Sequence, residues 1–177
     1  MSTQPGLTKA RILGLFRALA AELHRRGVVG ELYLVGGAVM CVALAHRPST
    51  KNVDAYFVPK KGVRDAARKV GVDLGAGEEW LNDAVKGFLS DRGAFDPFLD
   101  LDGLRVFAAR PEYLLAMKCL SMRLGPEFHD EDDVRFLLRY LNVETYDQAV
   151  EVIAEYYPLD RFPQKTLYAL EEILTSR

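Results

Sequence analysis

The stretch Leu32-Tyr33-Leu34-Val35-Gly36-Gly37, followed at once by Ala38-Val39-Met40-Cys41-Val42-Ala43-Leu44, constrains the fold more than any other. A short apolar run suited to a strand meets two glycines that permit a tight turn. The residues behind them are hydrophobic on every side, as those of a helix enclosed in a core are. Such a unit needs a sheet to rest on. The next β-rich segment, Asn52-Val53-Asp54-Ala55-Tyr56-Phe57-Val58, is ended by Pro59 and supplies a second strand. Residues 46–51 between them read as loop. With 177 residues, 49% of them hydrophobic and 27% charged, the chain can bury a core of one compact domain with a helical extension.

The flanking sequence fits that nucleus. From Leu7 to Gly27, apolar Ile12, Leu15, Phe16, Leu19 and Leu23 recur at helical spacing. Lys60 to Val70 suits a basic amphipathic helix. Residues 95–101 and 104–108 read as strands separated by an Asp102-Gly103 turn. From Pro111 onward only helical periodicity remains, with helices predicted over about 111–124, 130–141, 145–156 and 163–175. Thr145 and Gln148 have the spacing of a capping box. The predicted fold is therefore α/β, a mixed sheet with helices over residues 1–110, followed by a helical part over 111–177 packed on that core.

Several function classes are excluded by composition. The net charge of -2 is incompatible with a globally basic nucleic-acid binder, so any polyanion must be met locally. Lys60, Lys61, Arg64 and Arg68 offer one such face, for tRNA or another polyanion. No run of apolar residues is long enough to span a bilayer, and the first residues lack the apolar stretch of a secretory signal. A cytoplasmic protein without a membrane partner is expected. Cys41 and Cys119 lie in apolar runs and are expected to be small buried hydrophobes rather than a disulfide.

Chemistry concentrates around the glycine turn. In an extended segment Asn52, Asp54 and Tyr56 share one face and Val53, Ala55 and Phe57 the other. Glycine-turn N–H groups opening a helix can cradle a phosphate, and a carboxylate on the next strand can hold the Mg2+ that neutralises it. On these residues LVGGAVMCVALAHRPSTKNVDAYF resembles the nucleotide-binding core of the DNA polymerase β-like nucleotidyltransferases, in particular bacterial minimal nucleotidyltransferases related to AbiEii-type toxins. The likeness extends more loosely over Trp80-Leu81-Asn82-Asp83 and over PEYLLAMK with HDEDD.

The resemblance implies Mg2+-dependent transfer of a nucleoside monophosphate from an NTP to a hydroxyl of RNA or protein. It also implies the role of a toxin acting on tRNA or a protein, with an antitoxin as partner. Gly36, Gly37 and Thr50 would bind the nucleotide, and Asn52 and Asp54 would hold the metal. Asp54, Lys118 and Asp133 would carry catalysis, with Lys118 also binding the triphosphate. One departure stands out: the first acid of the family's Asp-x-Asp is Asn52, which keeps an oxygen but removes a charge. The alternative is thus a catalytically degenerate module that binds nucleotide, RNA or a partner. Asp96, Asp100 and Asp102 are candidates for a third carboxylate, although Asp102-Gly103 is better explained as a turn.

Lys118 falls between Leu114 and Leu115, opposite a polar side set by Glu112, Ala116 and Arg123 on a wheel through 112–124. Asp130 and Asp133 extend the stripe of Val134, Leu137 and Leu138, Asp130 being suited to a helix cap and Asp133 to pairing with Lys118.

Overall fold

A computed structural model describes residues 5–176. The chain forms two compact units: the described residues through Gly87 together with Phe95–Ala109, and Phe88–Ala94 together with the residues from Arg110 onward.

The first unit is an α/β fold. Strand β1 (Leu7–Thr8) leads into α1 (Lys9–Arg25), β2 (Gly30–Val35) and α2 (Gly36–Val42). Then follow β3 (Ser49–Thr50), β4 (Val53–Val58), α3 (Lys60–Asp73), β5 (Leu81–Asn82), β6 (Phe95–Leu101) and β7 (Leu104–Ala109). The main sheet has the order β5-β4-β2-β7-β6 and is mixed. Strand β2 is antiparallel to β4 and parallel to β7, β4 is parallel to β5, and β6 is antiparallel to β7.

Its apolar side follows from strand alternation. Leu32 and Leu34 of β2, Val53, Ala55 and Phe57 of β4, and Leu104 and Val106 of β7 are all buried. Helix α1 contributes Ile12, Leu15, Phe16, Leu19 and Leu23 to the same core. Burying each such large side chain is worth about 1.5–3 kcal/mol relative to leaving it exposed. The opposite side of the sheet is half-buried and aromatic, with Tyr33 stacked on Phe107 at 4.9 Å and 6.1 Å from Tyr56.

Two local expectations change. Helix α1 starts at Lys9 rather than Leu7, because the Thr8 hydroxyl caps it by accepting from the Arg11 N–H at 3.2 Å. Leu7 and Thr8 instead pair with Thr50 and Ser49, which turns part of the 46–51 loop into β3. A two-residue strand paired across the sequence leaves no periodicity to read.

The second unit is helical: α4 (Pro111–Leu120), α5 (Asp130–Tyr140), α6 (Tyr146–Ala154) and α7 (Gln164–Thr175). Helix α4 contacts the other three. Residues 113–119 are accordingly all buried, and Ala116 has no exposure at all. This corrects the predicted polar side: the helix ends at Leu120 instead of 124, so Arg123 lies beyond it. Pro111 occupies the first turn, where its missing N–H costs nothing. Thr145 and Gln148 form the complete capping box of α6.

Residues 88–94 join this unit through hydroxyl groups. The Ser90 N–H donates to the Tyr113 hydroxyl at 2.8 Å, and the Tyr157 hydroxyl donates to the Phe88 carbonyl. Among the described residues no helix is long and apolar enough to cross a membrane.

Candidate functional site

In the first unit the glycine turn and the acid-bearing strand come together. Gly36 follows the last residue of β2 and has φ +64, the left-handed region that glycine enters without strain. Val35 and Asp54 are partners in the antiparallel ladder. The Asp54 carboxylate thereby lies against the turn: a Cβ built on Gly36 would stand 3.4 Å from Asp54 Oδ2. Along β4, Asp54 and Tyr56 are half-buried while their neighbours are buried, and Asn52 precedes the strand, half-buried as well.

Gly37 is required for a different reason. A Cβ there would meet Thr50 Oγ1 at 2.8 Å and Arg47 Nη1 at 3.1 Å. Both side chains are therefore seated directly on the first turn of α2. The Thr50 hydroxyl donates to the Asn52 carbonyl at 3.2 Å, which ties the loop ahead of β4 to this position. The Arg47 N–H donates to the Met40 carbonyl at 3.3 Å. A guanidinium, a hydroxyl, a carboxylate and the N–H groups of a helix start are thus gathered in one place, a set suited to an anion and an associated cation.

The three candidates for a third carboxylate stand elsewhere. Asp102 is in the β6–β7 turn, 3.5 Å from His24 Nδ1, and Gly103 beside it has φ +91. Asp100 pairs with Arg105, which pairs with Glu31 at the opposite end of β2 from Val35. Asp96 pairs with Ala108, in the row of Leu34 and Ala55, so register assigns it to the face opposite Asp54. Among the described residues, Asp54 belongs to no group of three or more His, Cys, Asp or Glu side chains with ligand atoms within 4.8 Å of one another.

Acids are interspersed on the basic face of α3. Lys61 pairs with Asp65 at 2.6 Å, Arg64 with Asp83 at 3.0 Å and Lys69 with Asp73 at 2.5 Å, while Lys60 lies 3.7 Å from Asp83. Arg68, the fourth residue of the face expected to meet a polyanion, lies 4.0 Å from Glu79. Both cysteines are buried thiols, and burial pushes Cys119 up to about 12 and also raises Cys41.

The second unit contains Lys118 and Asp133, brought together as an ion pair at 2.8 Å. Lys118 is 9% exposed and Asp133 fully buried. Asp130 Oδ1 lies 3.7 Å from the same ammonium. Its Oδ2 accepts from both the N–H and the Nε of Arg123, each at 2.9 Å. This overturns the cap assigned to Asp130: its carboxylate ties down the segment after α4 instead of closing the start of α5. Arg123 also covers the Phe128 ring at 4.6 Å.

Burial by itself would raise the Asp130 carboxyl, but its hydrogen bonds from Arg123, with Lys118 nearby, hold it below the usual carboxylate value. A depressed folded-state value contributes stability that is complete above the unfolded-state value and is lost as pH falls through the folded one. Unfolding free energy measured by denaturant titration is therefore expected to decline below roughly pH 4, with a shallower decline in Asp130→Asn. Identical slopes for the two proteins would remove Asp130 from the acid response.

No family model, no curated protein and no solved structure matches the chain.

Proposed function

We propose that the α/β unit is a nucleotidyltransferase-type domain that binds an NTP with Mg2+ and moves its nucleoside monophosphate to a hydroxyl of RNA or protein. The observation that carries this reading is the Asp54 carboxylate resting against the Gly36-Gly37 turn, with Arg47 and Thr50 packed on Gly37. Glycine-turn N–H groups and Arg47 suit phosphate oxygens, Arg47 through paired donors. Mg2+ is commonly held by one or two carboxylates completed by substrate phosphates and water. Asp54, helped by the Asn52 oxygen, fits a metal that shares its ligands with a polyphosphate. Bound there, Mg2+ would neutralise the triphosphate. In the transfer the acceptor oxygen bonds to the α-phosphorus, pyrophosphate leaves and the hydroxyl proton passes to solvent. By resemblance a toxin with an antitoxin partner is the role suggested.

A second reading, nucleotide binding without transfer, is favoured by Asn52, which keeps an oxygen but lacks the charge of a metal-binding acid. A radiolabelled NTP assay with total RNA and protein as acceptors separates the two. Transfer by the wild type establishes the enzyme. Transfer by Asn52→Asp alone, with nucleotide binding by both, establishes the binding module. Failure of both proteins to bind any of the four NTPs contradicts both readings.

A further inference from the structure

We propose that Asn82 is a ligand-binding residue of the Asp54 site, its carboxamide NH2 donating to an anionic oxygen of the bound polyphosphate. The inference rests on the nucleotide reading and extends it to a residue for which the sequence suggests no role.

The first argument is placement. Asp54 and Asn82 are partners in the parallel β4–β5 ladder. Partners on adjacent strands lie about 4.8 Å apart and share a face. Across three strands the row reads Val35, Asp54, Asn82, with Gly36 next in the chain.

The second argument is orientation. Asn82 Oδ1 accepts from the Ala84 N–H at 3.2 Å, which fixes which end of the amide is the acceptor. Among the described residues none accepts a hydrogen bond from its NH2 group, and Asn82 is half-buried. The free end carries two donors and no acceptor, so its complement is an oxygen, best an anionic one.

The third argument is rigidity, because a donor helps binding most when it is held in place beforehand. Strand β5 is pinned on both sides of Asn82. Before it, buried Trp80 donates its Nε1 to the Ala67 carbonyl at 2.7 Å, and its own carbonyl accepts from the Val53 N–H at 2.6 Å. After it, Asp83 accepts from Arg64 at 3.0 Å.

Chemistry explains why an amide suits this position. A second carboxylate beside Asp54 would repel phosphate, whereas an amide contributes a donor and no charge.

The test is calorimetric titration of the full chain with tripolyphosphate in Mg2+, a probe independent of base identity. Asn82→Asp keeps the acceptor for the Ala84 N–H and removes the donor. Asn82→Ala removes the donor without adding charge. Both are expected to weaken binding at least tenfold with the melting temperature little changed. Wild-type affinity in Asn82→Ala, whatever Asn82→Asp does, would overturn the proposal and reduce Asn82 to a turn residue. A wild type that binds tripolyphosphate, loses it in Asp54→Ala and keeps it in Asn82→Ala would sink this inference alone. A wild type that binds neither tripolyphosphate nor any NTP would sink the nucleotide reading with it.

Discussion

Asp54→Ala is expected to lower nucleotide transfer by about 10²–10³-fold, the scale seen when one preorganised electrostatic group is removed from a reacting centre. The hydrophobic packing of β4 should survive the substitution. The buried side of β4 is supplied by Val53, Ala55 and Phe57, which the substitution leaves in place, while Asp54 faces the half-buried side. Asp54→Asn provides the isosteric control: it keeps an oxygen against Gly36 and loses the charge, so a defect close to that of Asp54→Ala locates the effect in the charge. Unchanged transfer by Asp54→Ala in a folded protein would exclude Asp54 from the site.

The largest effect on stability is expected from Lys118→Ala. Asp133 is fully buried and its carboxylate sits 2.8 Å from the Lys118 ammonium. Removing the lysine takes the ammonium away from a buried carboxylate, and breaking a buried pair in this way costs about 3–5 kcal/mol. Replacing both partners by apolar residues, Lys118→Met with Asp133→Leu, should recover most of the loss, because it also removes the desolvation penalty. Chemical denaturation checks both variants. A single variant as stable as the wild type would contradict the structural role of the pair. Nucleotide titration of the folded Lys118→Ala fraction then reads the phosphate role separately. Lost affinity supports Lys118 as a triphosphate cation, and retained affinity makes the pair purely structural.

The parts of this architecture legible in the sequence are those encoded by near neighbours. The β2–glycine–α2 unit is written in a strand-like run, two glycines and an apolar helix, and β4 in a period-two alternation whose buried members are Val53, Ala55 and Phe57. The α6 capping box and the Asp102-Gly103 turn are similarly local. Long-range pairings are not legible. Nothing around Leu7 announces that it pairs with Thr50, nor does anything around Asn82 announce Asp54 as its ladder partner.

Charged groups show the same division. Two inward helix faces predict the Lys118–Asp133 pairing, which is present. The role of Asp130 is not legible, because a first-turn acid looks like a cap until the position of Arg123 is known. The wheel through residues 112–124 failed because no glycine or proline marks the end of α4 at Leu120; burial by three surrounding helices, not amphipathicity, determines its surface.

The claim that the glycine turn and Asp54 form a nucleotide site is tested most directly by two-dimensional amide NMR of the full chain during titration with Mg2+ and a non-hydrolysable NTP analogue. The account predicts saturable shifts at Gly36, Gly37 and Asp54 in the wild type, abolished by Asp54→Ala. Saturable binding that leaves these three amides unmoved would contradict it.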